Sequence, residues 1–334
     1  MKWCSSILAI LILSPALWAQ TWTEFAVGPN FTYPAAINDR GQITGSYSAS
    51  AAGRSKAFVR NADGSITKLQ PESVYSGGVS INSSGEVVGY AESSGFDRTP
   101  DGGFHKVSLF CCATSAVAVN DAGHIAGTFF LDWDRKISAV YLMDKDSKYI
   151  QFTFPHGRAP HDSVLIEVRG LNSSDRIVGD WTSSADGILS QHGFLYESGA
   201  FVQLDVSGAK LTRPRAISNA GEVVGDWTDT AGAIHGFLWT ETRGFTSYDA
   251  PQATLTSIMA INSAGMKVGY YSDGEKDHGF VLDPQLAMTV LDAPNASSTI
   301  PVGINASGRV TGIYIGSKSS QKGFLYTPAM LPQR

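Results

Sequence analysis

Two sets of residues in this chain could do chemistry: one stretch that concentrates imidazole, guanidinium and carboxylate groups, and one histidine that recurs. Residues 155–168 read PHGRAPHDSVLIEV and supply His156, Arg158, His161 and Asp162. Arg169 follows at once, and Arg213 and Arg215 come later in the chain. Planar guanidinium forks match carboxylates, sulfates and sugar acids, so these seven residues form the candidate ligand site. The same side-chain types also serve proton transfer. That makes a carbohydrate-active lyase or hydrolase, working around His161 and Arg215, the catalytic alternative. No Gly-x-Ser-x-Gly elbow, phosphate loop or His-Glu-x-x-His accompanies them, so no catalytic residue is assigned and a non-enzymatic role is expected.

His192, His235 and His278 each stand before Gly-Phe. They fall at equivalent places of different repeats and are spread too widely for one ion, whose ligands must approach to about 2 Å. A structural role is expected, with each ring bonded to a strand end. The turns Asn82–Gly85 and Asn262–Gly265 contain none of the carboxylates that calcium prefers. Neither a metal nor a cofactor is expected. Cys111 and Cys112 are adjacent and could close only a strained ring, so they read as thiols.

What must position these residues is a repeat. The phrase small–aliphatic–Asn–x–x–Gly–x–aliphatic–x–Gly recurs seven times, with turn residues Asn38, Asn82, Asn120, Asn172, Ser218, Asn262 and Asn305. The intervals are 44, 38, 52, 46, 44 and 43 residues, a length that points to a propeller or another repeat array. Asn at the first turn position and Gly at the last fit a type I turn closed by a left-handed residue. Asp175 replaces that Gly once, and tolerates the same backbone. A second glycine follows in every copy, at Gly45, Gly89, Gly127, Gly179, Gly225, Gly269 and Gly312. Glycine inside a strand signals close backbone approach or a bulge. An aromatic two residues further on, such as Tyr47, Phe129 or Trp181, is expected to pack between sheets.

A third strand reads Gly-Phe-Leu-Tyr or close to it, and a fourth resembles residues 201–205. The second repeat is the weakest, with Phe96 and Phe104 aligning only loosely to these strands. The chain ends after a third strand at Tyr326, yet it begins at residues 21–27 with a segment of the fourth kind. One repeat is therefore split between the termini. The expected fold is all-β: a seven-bladed β-propeller closed by pairing of the N-terminal strand with the C-terminal blade. Closure removes exposed edges.

Residues 1–19 read as a secretory signal, with Lys2, the apolar run Ile7 to Leu13 and a small residue at Ala19. Residues 20–334 then form one seven-repeat domain, secreted or periplasmic. The chain carries a net charge of −5 with only 16% charged residues and 35 glycines. A mildly acidic surface offers no footprint for nucleic acid. No membrane insertion is expected, and the protein reads as a monomer whose ligand is a glycan, an anionic small molecule or a protein.

The triplets His192-Gly193-Phe194, His235-Gly236-Phe237 and His278-Gly279-Phe280 resemble the extracellular HAF-repeat family, named for His-Ala-Phe. The phrase Ala36-Ile37-Asn38, with its two glycines, also looks like that family. The resemblance covers essentially the whole mature chain. It implies export and tandem repeats, and brings no established reaction, ligand or catalytic residue.

Overall fold

The computed structural model describes residues 20–48, 54–69, 71, 73, 75–109, 113–134, 136–154, 163–185, 188–316 and 321–329. His156, Arg158, His161, Asp162, Cys111, Cys112 and residues 1–19 lie outside the described residues. Among the described residues every regular element is a strand. No helix among them is long and apolar enough to cross a membrane.

The strands fall into seven groups of four, each an antiparallel meander. Unit 1 comprises Phe31–Ile37, Ile43–Ser48, Lys56–Arg60 and Ile66–Lys68. The weak second repeat is complete, with strands Ser76–Ile81, Val87–Ala91, Ser94–Arg98 and Phe104–Val107. Its shortness comes from the tight link at Glu92 and Ser93, where Glu92 takes a φ of 53°. Single parallel bridges, such as Gln191 to Leu211, join units 3 to 7 into one run of 20 strands. Units 1 and 2 are separate four-stranded sheets.

The split repeat is assembled as its sequence implies. Thr21–Phe25 pairs antiparallel with Gln321–Thr327, from Thr21 opposite Thr327 to Phe25 opposite Gly323. Trp22 lies 5.0 Å from the Phe324 ring and 5.3 Å from Tyr326. Glu24 accepts a hydrogen bond from Lys322 at 3.2 Å.

All seven inner strands carry a β-bulge at the same place. The unpaired residues are Ala35, Val79, Val117, Arg169, Arg215, Met259 and Val302. The bulge pushes a carbonyl toward the neighbouring strand, as with Arg213 O toward Gly225, where an added Cβ would collide with it. The second glycine of each repeat is the answer to that bulge. Across the next strand pair the same glycine faces the third-strand aromatic: Gly225 opposite Phe237, Gly179 opposite Phe194, Gly127 opposite Tyr141. Phe58, Phe194, Phe237, Phe280 and Phe324 are fully buried there. Each such ring stabilises the fold by roughly 1.5–3 kcal/mol.

The stretch 155–168 runs into an inner strand. The strand Ser163–Leu171 takes up its second half, because Val164, Ile166 and Val168 alternate inward and are buried. Arg213 lies within the strand Leu211–Ile217.

Candidate functional site

The seven inner strands converge on one axis, and its two ends differ. At the turn end each Asn does two jobs. Its Oδ1 closes its own turn: Asn172 Oδ1 accepts from the backbone N–H of Ser174 and Arg176, each at 3.0 Å. Its Nδ2 donates to the turn carbonyl of the next unit. The relay runs from Asn38 to Asn82 at 2.9 Å, Asn82 to Asn120 at 3.0 Å and Asn120 to Asn172 at 3.1 Å. It goes on from Asn172 to Ser218 at 3.1 Å, from Asn262 to Asn305 at 2.9 Å, and from Asn305 back to Asn38 at 3.0 Å. A turn alone would accept Asp equally; only an amide can also donate.

Ser218 lacks that donor, and its Oγ accepts instead from Glu222 N–H of its own turn at 3.1 Å. The junction between units 5 and 6 is held differently: Lys267 Nζ lies 3.0 Å from Glu222, with the lysine side chain only 3% exposed. Asp175, which stands where other units have Gly, takes a φ of 60°. It also accepts from Asn120 Nδ2 at 2.9 Å and pairs with His124 Nδ1 at 2.9 Å. These turns line a small polar mouth of about 200 Å³.

The other end opens into a central cavity of about 350 Å³ that all seven inner strands line with their bulge residues. Five of those are Ala35, Val79, Val117, Met259 and Val302; the remaining two are Arg169 and Arg215, the charged residues of the lining. Arg169 Nε donates to Asp180 at 2.9 Å, and its terminal nitrogen pairs with Glu167. Arg215 Nε donates to Asp226 at 2.7 Å. Arg213 reaches the same carboxylate through Nε at 2.8 Å and a terminal nitrogen at 2.6 Å, and Ser257 Oγ donates to it at 3.0 Å. Asp226 is completely buried. Partial burial disfavours the Arg169 charge, but Asp180, Glu167 and Asp226 outweigh it and hold its pKa above the usual arginine value. Burial, with Asp226 beside it, raises the Tyr270 hydroxyl.

Arg169, Arg213 and Arg215 are thus gathered at one end, and each guanidinium has an acidic partner. The partners Asp180 and Asp226 were not assigned from the sequence. A signal for them exists: Gly-Asp-Trp occurs only as Gly179-Asp180-Trp181 and Gly225-Asp226-Trp227, in the two units whose bulge residue is arginine.

The recurring histidines each pair with a carboxylate rather than with a strand end. His192 pairs through Nδ1 with Asp205 at 2.6 Å, His235 with Asp249 at 2.9 Å, and His278 with Asp292 at 2.8 Å. The same rings pack on Trp181, Trp227 and Tyr271 at centroid distances of 4.7, 4.5 and 4.8 Å. In these units the aromatic after the second glycine therefore packs on histidine and stays partly exposed, whereas Tyr47, Phe129 and Tyr314 are buried as expected. Burial opposes protonation of His278, yet hydrogen bonds to Asp273 and Asp292 hold its pKa above the ordinary histidine value.

No protein-family model and no curated protein matches the chain. Among solved structures it is similar to a streptogramin B lyase at 15% identity and a TM-score of 0.56, over 94% of this chain and 100% of that one. It is similar to the virginiamycin B lyase from Staphylococcus aureus at 14% identity and a TM-score of 0.56, over 93% of this chain and 100% of that one. The acylaminoacyl peptidase of Pyrococcus horikoshii follows at 10% identity and a TM-score of 0.61, over 89% of this chain and 51% of that one. At these identities the likeness concerns the fold alone, which is all-β and β-propeller-like.

Proposed function

We propose that this chain is an exported, non-catalytic binding protein: a closed seven-bladed β-propeller that holds a small anion at the arginine-lined end of its central cavity. Closure is supported by the pairing of residues 21–25 with the last strand and by an amide relay that returns to Asn38. Export rests on the signal-like residues 1–19, and kinship with the HAF-repeat family rests on the His-Gly-Phe triplets and the Ala-Ile-Asn phrase with its two glycines.

One observation carries the binding reading. Two guanidinium groups, Arg213 and Arg215, share the single buried carboxylate of Asp226, so unit 5 has one guanidinium more than it has carboxylates at this end. Arg215 spends only Nε on that pairing among the described contacts. Its outer edge suits the bidentate recognition of a carboxylate or sulfate.

Isothermal titration calorimetry with sulfate and galacturonate tests this. Binding to the parent and its loss in Arg215→Met is the expected result. The variant should fold, because Asp226 keeps Arg213 and Ser257 as partners. Equal binding by both proteins contradicts the assignment. Turnover of a polyuronide that disappears in His161→Ala and Arg215→Ala would replace binding by catalysis.

A further inference from the structure

Charge at the arginine-lined end is unevenly divided. In unit 5 two guanidiniums face one carboxylate, Asp226. In unit 4 the ratio is reversed: Arg169 alone serves both Glu167 and Asp180. A surplus positive charge therefore sits next to a surplus negative one, on neighbouring inner strands. The Glu167 side chain is 59% exposed, so the negative surplus is reachable.

Beside it opens a larger cavity of about 640 Å³. Phe130, Leu165 and Ile166 line it together with the hydroxyl-bearing Tyr90, Ser115, Thr128 and Ser138, and Glu167 and Arg169 stand in its wall. Val79, Val117, Val168 and Arg169 also line the central cavity, so the two spaces meet at Arg169. The order across the junction is the chamber, a carboxylate, then a guanidinium.

The geometry points to a zwitterion with an apolar side chain, a free amino acid or short peptide. Its carboxylate pairs with Arg215, its ammonium pairs with Glu167, and its side chain fills the chamber. This deepens the anion reading given above and rests on it. A sugar acid uses the positive surplus alone and leaves Glu167 without a cationic group of the ligand to pair with. A zwitterion matches both surpluses and gains from burying its apolar part.

Calorimetric titrations of the full chain with L-phenylalanine and L-leucyl-L-phenylalanine test the inference. They are set against the N-acetylated forms, which lack the ammonium, and the C-terminal amides, which lack the carboxylate. At least one zwitterion should bind, with at least tenfold weakening on either modification. Glu167→Gln should weaken the zwitterion while leaving the N-acetylated form unaffected, and Leu165→Asp should weaken both. Equal binding of zwitterion and N-acetylated form overturns the ammonium site and leaves the anion reading standing. Binding of galacturonate or sulfate with no binding of any amino acid or peptide also overturns it. Failure of every probe, anions included, overturns both readings.

Discussion

The two ends of the central axis are built from the same seven inner strands and obey opposite rules. At the turn end the copies agree, and six of the turn residues, from Asn38 to Asn305, donate to the next unit. At the other end the bulge residue projects into a cavity and the copies part company, with arginine at 169 and 215 and apolar side chains elsewhere. Repetition marks what every junction needs in order to hold. Departure from repetition, on a backbone kept constant by the bulge, marks where a particular chemistry has been installed. Variants at the turn end should therefore change stability and leave binding alone, and variants at the arginine end should do the reverse.

The largest effect is expected where the repeat is broken but the junction still holds. Glu222→Gln strands the buried ammonium of Lys267, and removing one partner of such a pair costs about 3–5 kcal/mol. Chemical denaturation should show that loss, and Glu222→Gln combined with Lys267→Met should recover most of it. If the single variant is as stable as the parent, the ion pair does not hold this junction.

Next comes the bulge itself. Gly225→Ala drives a methyl group into the Arg213 carbonyl and should cost about 3 kcal/mol, at the upper end for overpacking. At Gly316 an added Cβ meets nothing closer than 3.9 Å, so Gly316→Ala should be nearly neutral. Similar melting temperatures for the two variants would deny the bulge its role.

A smaller loss attends the relay. Asn305→Asp keeps the turn acceptor but deletes the donor to Asn38 O, which retains the Gly41 N–H, at about 0.5–1.5 kcal/mol for one lost hydrogen bond. The converse, Ser218→Asn, supplies a donor at the one junction without it and should stabilise by about 0.5–1 kcal/mol. No gain from Ser218→Asn would mean that the gap is already closed by other contacts.

The smallest effect is pH-dependent. The folded pKa of His278 lies above the ordinary value of 6.5. Its stabilisation is complete below pH 6.5 and fades as pH rises through the folded value. The melting temperature should decline modestly across that window, and His278→Gln should flatten the decline. An unchanged profile in the variant would remove His278 as its source.

Much of this arrangement was readable from residue types and spacing. The hairpins and the terminal pairing follow from turn chemistry and from the strand left over at each end, whereas the carboxylate partners of the histidines do not. The bulges were only half visible. Gly225 announces close approach, but which residue is unpaired depends on register, which pairing settles. The asparagine donors were hidden because a type I turn alone explains Asn. Arg169 and Arg215 stood out as charges among apolar equivalents; the two Gly-Asp-Trp triplets mark Asp180 and Asp226, but that these acids face the arginines depends on the strand pairing. The second repeat is short because its link between the second and third strands is trimmed, while Phe96 and Phe104 stand on its third and fourth strands as aligned.

A crystal structure of the protein soaked with galacturonate would test most directly whether the axis divides into a holding end and a binding end. The ligand carboxylate should lie within hydrogen-bonding distance of Arg215, with the polar mouth formed by the Asn38-to-Asn305 turns free of it. Ligand density at that mouth, and none beside Arg215, would contradict the division.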